Sequence, residues 1–300
     1  MCGRTACSLD KCGIQRATRR YSNNNTDLKW VEKYDWQNYQ PSHNLAPSQV
    51  SPVIVNKSVF EPKERADFVI TPMRWGFIPS WYRGSLESFS LKTNNCRIEG
   101  MLEKPTYRGA VTAAQRCVIL AEGFYEWKAI NSKQKQPYFI HFPQENSPDV
   151  FSQDFTDNNV KEISYPHLLT MAGLFDMWKS SNNEVIYSYS VITMDSSKTV
   201  AFVHERMPAV LTGKDEVSMW LDTNRVATKD AISILKPVED LHMYPVSTLV
   251  NYSKNNSVEC LKPFRESEKK SNPVKHTALT AWLKKGSSND MPAKRFKPDP

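Results

Sequence analysis

Short apolar runs joined by short polar connections dominate this chain, and the pattern limits the folds that it can adopt. RCVILAEGFYEWKA (116–129) predicts a buried strand, a turn at Gly123 and an aromatic strand, for which PYFIHFP (137–143) is the expected hairpin partner. HLLTMAGLFDMW (167–178) and VIYSYSVITM (185–194) predict a second hairpin. Strands do not alternate with helices of about 12 residues, which argues against a doubly wound sheet.

The remaining runs fit the same pattern. Further strands are predicted over SPVIV (51–55), FVITPMRWGFIPSWY (68–82, two short strands with a turn), RMPAVL (206–211) and MYPVSTLVN (243–251). Short helices are predicted over KDEVSMWLDT (214–223) and KDAISILKP (229–237). The polar stretch 144–159 is expected to be a surface insertion. Together these segments predict an α+β fold around a mostly antiparallel, barrel-like β-sheet with short helices.

The composition changes after Phe264. Residues 1–264 predict one folded domain, whereas residues 265–300 are charged and poor in apolar side chains and predict a disordered basic tail. This tail has nine Lys or Arg against four Asp or Glu, so it supplies most of the net charge of +7. The net charge is therefore weak evidence for nucleic-acid binding by the folded part. No stretch approaches the about 18 apolar residues of a membrane span, and we expect a soluble intracellular protein.

The six cysteines predict neither disulfides nor a metal site. Disulfides are rare in a reducing compartment. Cys2, Cys7 and Cys12 are separated by four residues each, which matches no zinc pattern, and no histidine pair follows at ligand spacing. We expect no metal and no cofactor.

The first four residues, MCGR, raise a specific chemical possibility. Met1 is usually trimmed when the second residue is small, which would make Cys2 the N-terminal residue. Its α-amine and thiol could then capture an aldehyde together and close a five-membered thiazolidine ring. The alternative is that Cys2 is an accident of a frayed terminus.

Three internal motifs also carry chemically useful side chains. They are TNNCR with Asn94, Asn95 and Arg97, AEGFYEW with Glu126, and HERMPAVL with His204 and Arg206. Each has a structural alternative. The asparagines could form a turn, Glu126 could be an exposed strand residue, and His204 could be structural.

The motifs MCGR, PMRWGFIPSW, NCR, GFYEW, H-x-RMP and VSTLVN-x-S, in this order, resemble the SRAP family, named for SOS-response-associated peptidases. The resemblance extends from Met1 to about Cys260. It implies an α+β domain with a barrel-like sheet and a DNA channel. It also implies covalent crosslinking to abasic sites in single-stranded DNA through the mature N-terminal cysteine.

The resemblance assigns roles to particular residues. The catalytic residues that it implies are Cys2, Asn95, Glu126 and His204. The resemblance implies that Arg4 and Arg97 hold DNA phosphates near the site, and Gly3, Trp81, Asn94 and Arg206 are further candidate DNA-binding residues.

The chemistry of these side chains agrees with such roles. An abasic deoxyribose is mostly a closed hemiacetal, and His204 suits its opening because histidine titrates near neutral pH. The α-amine then forms an imine, and the thiol adds to it. Glu126 can shuttle protons, Asn95 can hold the N-terminus with an amide that does not titrate, and arginine forks fit phosphates.

Single-stranded DNA also requires aromatic surfaces on which bases stack. Trp81 is our candidate for a wedge near the lesion, the alternative being that Trp75 and Trp81 are both core. Relatives have an aromatic residue shortly before the NCR motif, where this chain has Leu91, with Phe89 two residues earlier.

The tail contains a partial match to the motif of sliding-clamp ligands. His276, Leu279, Trp282 and Leu283 match its register, with His for Gln and Leu for the last aromatic. The alternative is a chance amphipathic turn. The sequence predicts weak binding to the replication clamp (PCNA), and the cluster PAKRFKP is a candidate nuclear-import signal. Clearance of the adduct by ubiquitin–proteasome machinery, a monomeric state and a location at replication forks in the nucleus are further expectations.

Three functions remain open from the sequence. The first is a repair factor that forms a covalent DNA–protein crosslink, with lyase-type self-reversal through the imine. The second is a cysteine peptidase, in its minimal form an autopeptidase that removes Met1. The third is a non-covalent reader of modified DNA, for which Cys2 would be dispensable.

Overall fold

The computed structural model describes residues 2–22, 25–32, 38–60, 68–145 and 165–264, and the fold is given for these residues. Their strands are β1 (Thr5–Cys7), β2 (Lys29–Trp30), β3 (Ser42–Leu45), β4 (Val50–Asn56), β5 (Phe68–Trp75), β6 (Asn95–Arg97), β7 (Arg116–Ala121), β8 (Gly123–Ala129), β9 (Lys135–His141), β10 (Leu169–Lys179), β11 (Val185–Asp195), β12 (Arg206–Pro208) and β13 (His242–Pro245). Their α-helices are α1 (Lys11–Ala17), α2 (Pro105–Thr112), α3 (Lys198–Ala201), α4 (Lys214–Leu221) and α5 (Thr228–Ser233). No helix in these ranges is long and apolar enough to cross a membrane.

Five strands close into a small barrel. Antiparallel pairing runs from β11 through β10, β7 and β4 to β5, and β5 pairs back onto β11 in parallel. The closing contact places Trp75 beside Tyr189, whose rings stack with centroids 6.3 Å apart. The predicted mostly antiparallel, barrel-like α+β fold is confirmed. The long apolar runs are explained because β7, β10 and β11 are buried on both faces over most of their length.

A second, five-stranded sheet has the order β13-β9-β8-β1-β3. The strand that follows Cys2, β1, lies between β8 and β3 in this sheet. Glycine is required at the start of β8, since a Cβ on Gly123 would lie 2.5 Å from the carbonyl oxygen of Ile140. The sheet therefore positions the N-terminal segment beside the GFYEW strand.

Both predicted hairpins are present, but some elements end earlier than the sequence predicts. The β8–β9 and β10–β11 hairpins have the expected partners, and α4 covers most of its predicted range. The prediction of two strands over 68–82 is wrong, because β5 ends at Trp75. Gly76 turns the chain there with a φ of 116°. The segment after it packs on the β10–β11 hairpin, where the Tyr82 carbonyl accepts a hydrogen bond from Trp178 Nε1 at 2.8 Å.

Two other predicted strands are too long. β12 ends at Pro208, and only an isolated bridge between Val210 and Met171 continues the pairing. β13 ends at Pro245, and a 3₁₀ turn over Thr248–Asn251 replaces the predicted strand end, because the Ser247 side chain caps that turn. Proline lacks an N–H donor and so terminates regular pairing at both places. The surface insertion from residue 146 onward and the tail from residue 265 lie outside the described residues.

Candidate active site around Cys2

Cys2 is fully buried, three residues before the start of β1. Its backbone carbonyl accepts a hydrogen bond of 2.6 Å from Nδ2 of Asn95. Asn95 begins β6, which pairs in parallel with β11 opposite Val191, and its own carbonyl accepts a bond of 3.1 Å from the Tyr107 hydroxyl. Strand pairing and Tyr107 thus fix the asparagine, and the asparagine fixes the N-terminal segment.

The second polar atom of the Asn95 side chain is its amide oxygen, Oδ1. Among the described residues no donor pairs with Oδ1, which is buried. Buried amide oxygens normally have a partner, because an unsatisfied one costs free energy. The Asn95 side chain therefore has an acceptor available next to Cys2.

The Cys2 thiol is held in its neutral form. Burial raises its pKa well above the usual value, and the nearby charge of Glu126 raises this pKa further. A thiolate is the reactive form of cysteine, so the thiol needs a base before it attacks an electrophile. The carboxyl of Glu126 is the acidic group whose charge acts on Cys2.

Glu126 lies in the middle of β8, opposite Tyr138 of β9, and only 3% of its surface is exposed. The alternative that it is an ordinary exposed strand residue is therefore wrong. Strand alternation could not show this, because successive residues of β8 are buried from Gly123 to Glu126, so both faces of the strand are covered there.

His204 follows α3 in the loop that leads into β12. It is half-buried, and its Nδ1 accepts a hydrogen bond of 3.0 Å from the backbone N–H of Arg206. The neutral imidazole consequently has its proton on Nε2. Two residues earlier, the ring of Phe202 contacts Tyr138 with centroids 5.8 Å apart. The His204 loop therefore lies at the sheet face of β8 and β9 that includes Tyr138.

Arg206 has structural partners rather than an open guanidinium. Its Nη1 lies 2.6 Å from both Glu99 and Asp195, its Nη2 lies 3.0 Å from Glu99, and it is 8% exposed. The sequence predicts a DNA contact here, but a phosphate would have to displace two carboxylates. We therefore do not include Arg206 among the proposed DNA contacts.

The other predicted phosphate contacts differ in exposure. Arg4 is half-buried, and its Nη1 donates to Asn44 Oδ1 and to the Val250 carbonyl, both at 2.7 Å. Arg97, at the end of β6, is exposed. Arg97 is thus the better placed of the two to reach solvent-borne phosphate.

Two further predicted DNA-binding residues support the backbone near Cys2. Gly3 and Asn94 are both half-buried. The Asn94 carbonyl accepts hydrogen bonds from Trp75 Nε1 at 2.9 Å and from the Val191 amide at 3.1 Å. These two hydrogen bonds anchor the start of β6. The DNA contact of the Asn94 side chain stays a prediction.

The two tryptophans of the PMRWGFIPSW motif have different environments. Trp75 is fully buried in the barrel, whereas Trp81 is 50% exposed. The alternative that both are core residues is wrong. Leu91 is 48% exposed, while Phe89 packs edge-on against Tyr82 with centroids 4.9 Å apart. Phe89 therefore packs within its own segment, and Leu91 is the more exposed of the two side chains.

A buried polar cluster at the end of β1 was not predicted. Glu122, in the single-residue connection between β7 and β8, accepts hydrogen bonds from Ser8 Oγ at 2.8 Å and Ser8 N at 3.2 Å. The Tyr39 hydroxyl lies 2.7 Å from the Cys7 carbonyl. Burial raises the pKa of Glu122 to about 7. Glu122 is the first acidic residue of the AEGFYEW motif, so this motif is the sequence signal from which the cluster could have been predicted. The cluster anchors the end of β1.

The Glu122→Gln substitution tests this cluster through stability. Wild-type Glu122 has a folded-state pKa of about 7, against about 4.3 in an unfolded chain. The folded state thus retains a proton that the unfolded state loses, and stability falls as pH rises between these values. We expect the glutamine variant to match wild type near pH 4.5 and to exceed it above pH 7. The difference is about 4 kcal/mol at most. Urea unfolding at pH 5 and pH 8 measures it, and a pH-independent difference would refute the interpretation.

Comparisons with known proteins show the family to which this protein belongs. The family model for "SOS response associated peptidase (SRAP)" matches residues 1–253, and the chain belongs to this family. The chain is 44% identical to the abasic site processing protein HMCES of Xenopus tropicalis, a match that covers 95% of this chain and 83% of the relative. It is 41% identical to HMCES of Mus musculus, over 88% of this chain and 76% of the relative.

More distant relatives share the fold. The abasic site processing protein YoqW of Bacillus subtilis is 31% identical, with 75% of this chain and 87% of the relative covered. A crystal structure of a protein from Bacteroides thetaiotaomicron superposes with a TM-score of 0.65 at 22% identity, covering 88% of this chain and all of that one. At this identity, the structural likeness supports the fold alone.

Proposed function

We propose that this protein processes abasic sites in single-stranded DNA by forming a covalent crosslink through Cys2. The observation that carries the proposal is the arrangement around this residue. Cys2 is buried, its carbonyl is bound by Asn95, and its thiol lies within the electrostatic reach of Glu126. The names of the curated relatives, which are abasic site processing proteins, support the same substrate.

The proposed reaction needs a free α-amine on Cys2, and so removal of Met1. The ring-opened sugar presents an aldehyde, which the amine attacks, and loss of one water gives an imine. The thiol then adds across the C=N bond. Its sulfur bonds to the imine carbon and its proton goes to the nitrogen. The product is a thiazolidine, equal in composition to protein plus DNA minus one water.

Each polar side chain has a task in this sequence. His204, with its proton on Nε2, donates a hydrogen bond to the ring oxygen of the sugar and stabilises the charge that develops there as the hemiacetal opens. Water supplies the proton of that oxygen and takes the proton of the anomeric hydroxyl. Glu126 takes the proton of the Cys2 thiol and returns it to nitrogen. Asn95 Oδ1 accepts a hydrogen bond from the Cys2 amine. This bond orients the lone pair of the amine nitrogen toward the aldehyde carbon.

Reversal follows from the same chemistry. Glu126 gives a proton to the ring sulfur, the C–S bond breaks, and the nitrogen lone pair forms the C=N bond while the N–H proton returns to Glu126. Water then hydrolyses the imine and releases the aldehyde. This lyase-type step is part of the proposal, as is the minimal autopeptidase activity that would remove Met1. The crosslink would shield the lesion from strand scission while it persists.

Two exposed residues would hold the DNA. Arg97 offers a planar guanidinium to a phosphate, and Trp81 offers an open indole face to a base. Binding of the replication clamp through Leu279, Trp282 and Leu283, proteasomal clearance of the adduct and nuclear localisation complete the proposal. The clamp residues lie outside the described residues, and calorimetry of a 265–300 peptide with the clamp tests them.

Two parallel assays separate the competing functions. The protein is incubated with a single-stranded oligonucleotide that contains one abasic site, or with the intact oligonucleotide, and resolved on a denaturing gel. A shifted band with the abasic oligonucleotide alone is expected. DNA binding without a denaturation-resistant band would favour the non-covalent reader. Hydrolysis of unrelated peptides without any crosslink would favour the peptidase.

A further inference from the structure

An exposed aromatic side chain lies two residues before His204. Phe202 is 54% exposed at the end of α3, although a ring of this size is normally buried. Its neighbours are Tyr138 of β9 and Lys128 of β8, and we call these three residues the Phe202 platform. None of them belongs to the site residues predicted from the sequence.

The contacts within the platform hold the ring in place. Phe202 and Tyr138 meet edge to face, with centroids 5.8 Å apart and an interplanar angle of 88°. The Lys128 ammonium lies 3.0 Å from the centroid of Phe202. An aromatic pair and a cation–π contact each stabilise such an arrangement. These contacts hold the ring in place before any ligand arrives, while the residue as a whole stays 54% exposed.

The platform and Glu126 share one face of the sheet. Tyr138 is the register partner of Glu126 across the β8–β9 ladder. Lys128 is two residues after Glu126 on β8, and side chains at this spacing point to the same side of a strand. The platform therefore borders the position that the abasic sugar would occupy between Glu126 and the His204 loop.

We propose that the Phe202 platform stacks a base of the nucleotide next to the abasic sugar, with Lys128 beside that nucleotide's phosphate. This inference rests on the proposed function, and it names a subsite for the strand on one side of the lesion. The abasic nucleotide has no base, so the base next to it lacks one stacking partner, and an aromatic side chain can take that place. Proteins that bind single strands combine aromatic faces with nearby cations in this way.

The test measures binding separately from chemistry. The probe is a single-stranded oligonucleotide with a central tetrahydrofuran, a non-reactive analogue of the abasic sugar. In two further probes a second tetrahydrofuran removes the base on the 5′ or on the 3′ side. Affinities are measured by fluorescence anisotropy for wild type, Phe202→Ala, Phe202→Trp and the control Ile130→Ala. Ile130 is 62% exposed and apolar, and it lies beyond the end of β8.

The expected pattern is a loss that depends on one flanking base. Wild type should lose affinity about tenfold when the base on one side is removed, and much less when the other is removed. Phe202→Ala should bind the complete probe about tenfold more weakly and show no further loss on the sensitive side, since both changes remove one contact. Phe202→Trp should restore binding, and Ile130→Ala should match wild type.

Two results would overturn the platform. One is a Phe202→Ala affinity equal to that of wild type on the complete probe. The other is additivity on both sides, so that neither flanking base is coupled to Phe202. Crosslinking of wild type to a true abasic oligonucleotide is scored separately, so a failed platform and a failed proposed function give different results.

Discussion

Replacing Cys2 by alanine should abolish the stable crosslink to abasic DNA. The variant retains an α-amine, so it can still form an imine with the ring-opened sugar, but it has no thiol to close the ring. The imine hydrolyses and does not survive a denaturing gel. The fold should persist, because Asn95 binds the backbone carbonyl of residue 2 rather than its side chain.

Borohydride gives this prediction its internal control. Reduction of the imine should restore a denaturation-resistant band for Cys2→Ala, whereas the wild-type band should need no reductant. This outcome would show that the amine and the thiol act in separate steps. A Cys2→Ala band as intense as that of wild type without borohydride would contradict the role of the thiol.

The Glu126→Gln substitution should slow crosslinking by about 10²- to 10⁴-fold, the range of a lost general acid–base group. Glutamine preserves the shape of the buried side chain but cannot carry a proton between sulfur and nitrogen. The carboxylate charge also raises the pKa of the Cys2 thiol. Its removal therefore lowers this pKa and makes more thiolate available.

These two effects of Glu126 have opposite signs, which makes the experiment decisive. Proton transfer by Glu126 predicts a slower reaction despite a lower thiol pKa, whereas a purely electrostatic role predicts a faster one. Single-turnover rates between pH 6 and 9 distinguish the two. Glu122→Gln is the matched control, since it changes a buried glutamate four residues away, and its rate should stay close to that of wild type.

The individual strands and hairpins could be predicted from the sequence more accurately than the closure of the barrel. The β8–β9 and β10–β11 hairpins follow from apolar runs with short polar connections, and both are confirmed. The parallel contact between β5 and β11 that closes the barrel joins residues more than a hundred positions apart. No local pattern encodes such a pairing, which depends on how the whole sheet curls.

The same distinction applies to the site. The motifs pointed to Cys2 and Asn95, and the structure links them by one hydrogen bond of 2.6 Å. Exposure could not be predicted for single residues, because it depends on which strands cover them. Glu126 is buried by the neighbouring strands of its sheet. Arg206 forms ion pairs with Glu99 and Asp195, which both lie outside the HERMPAVL motif.

The central claim is that the N-terminal amine and thiol of Cys2 together capture the lesion. Mass spectrometry of the protein after reaction with a single-stranded abasic oligonucleotide tests it most directly. We expect a species without Met1, with the mass of protein plus DNA minus one water, and an N-terminal peptide that carries the sugar on Cys2. Retention of Met1 in the adduct, attachment at another residue, or free Cys2 in a non-covalent complex would contradict the mechanism.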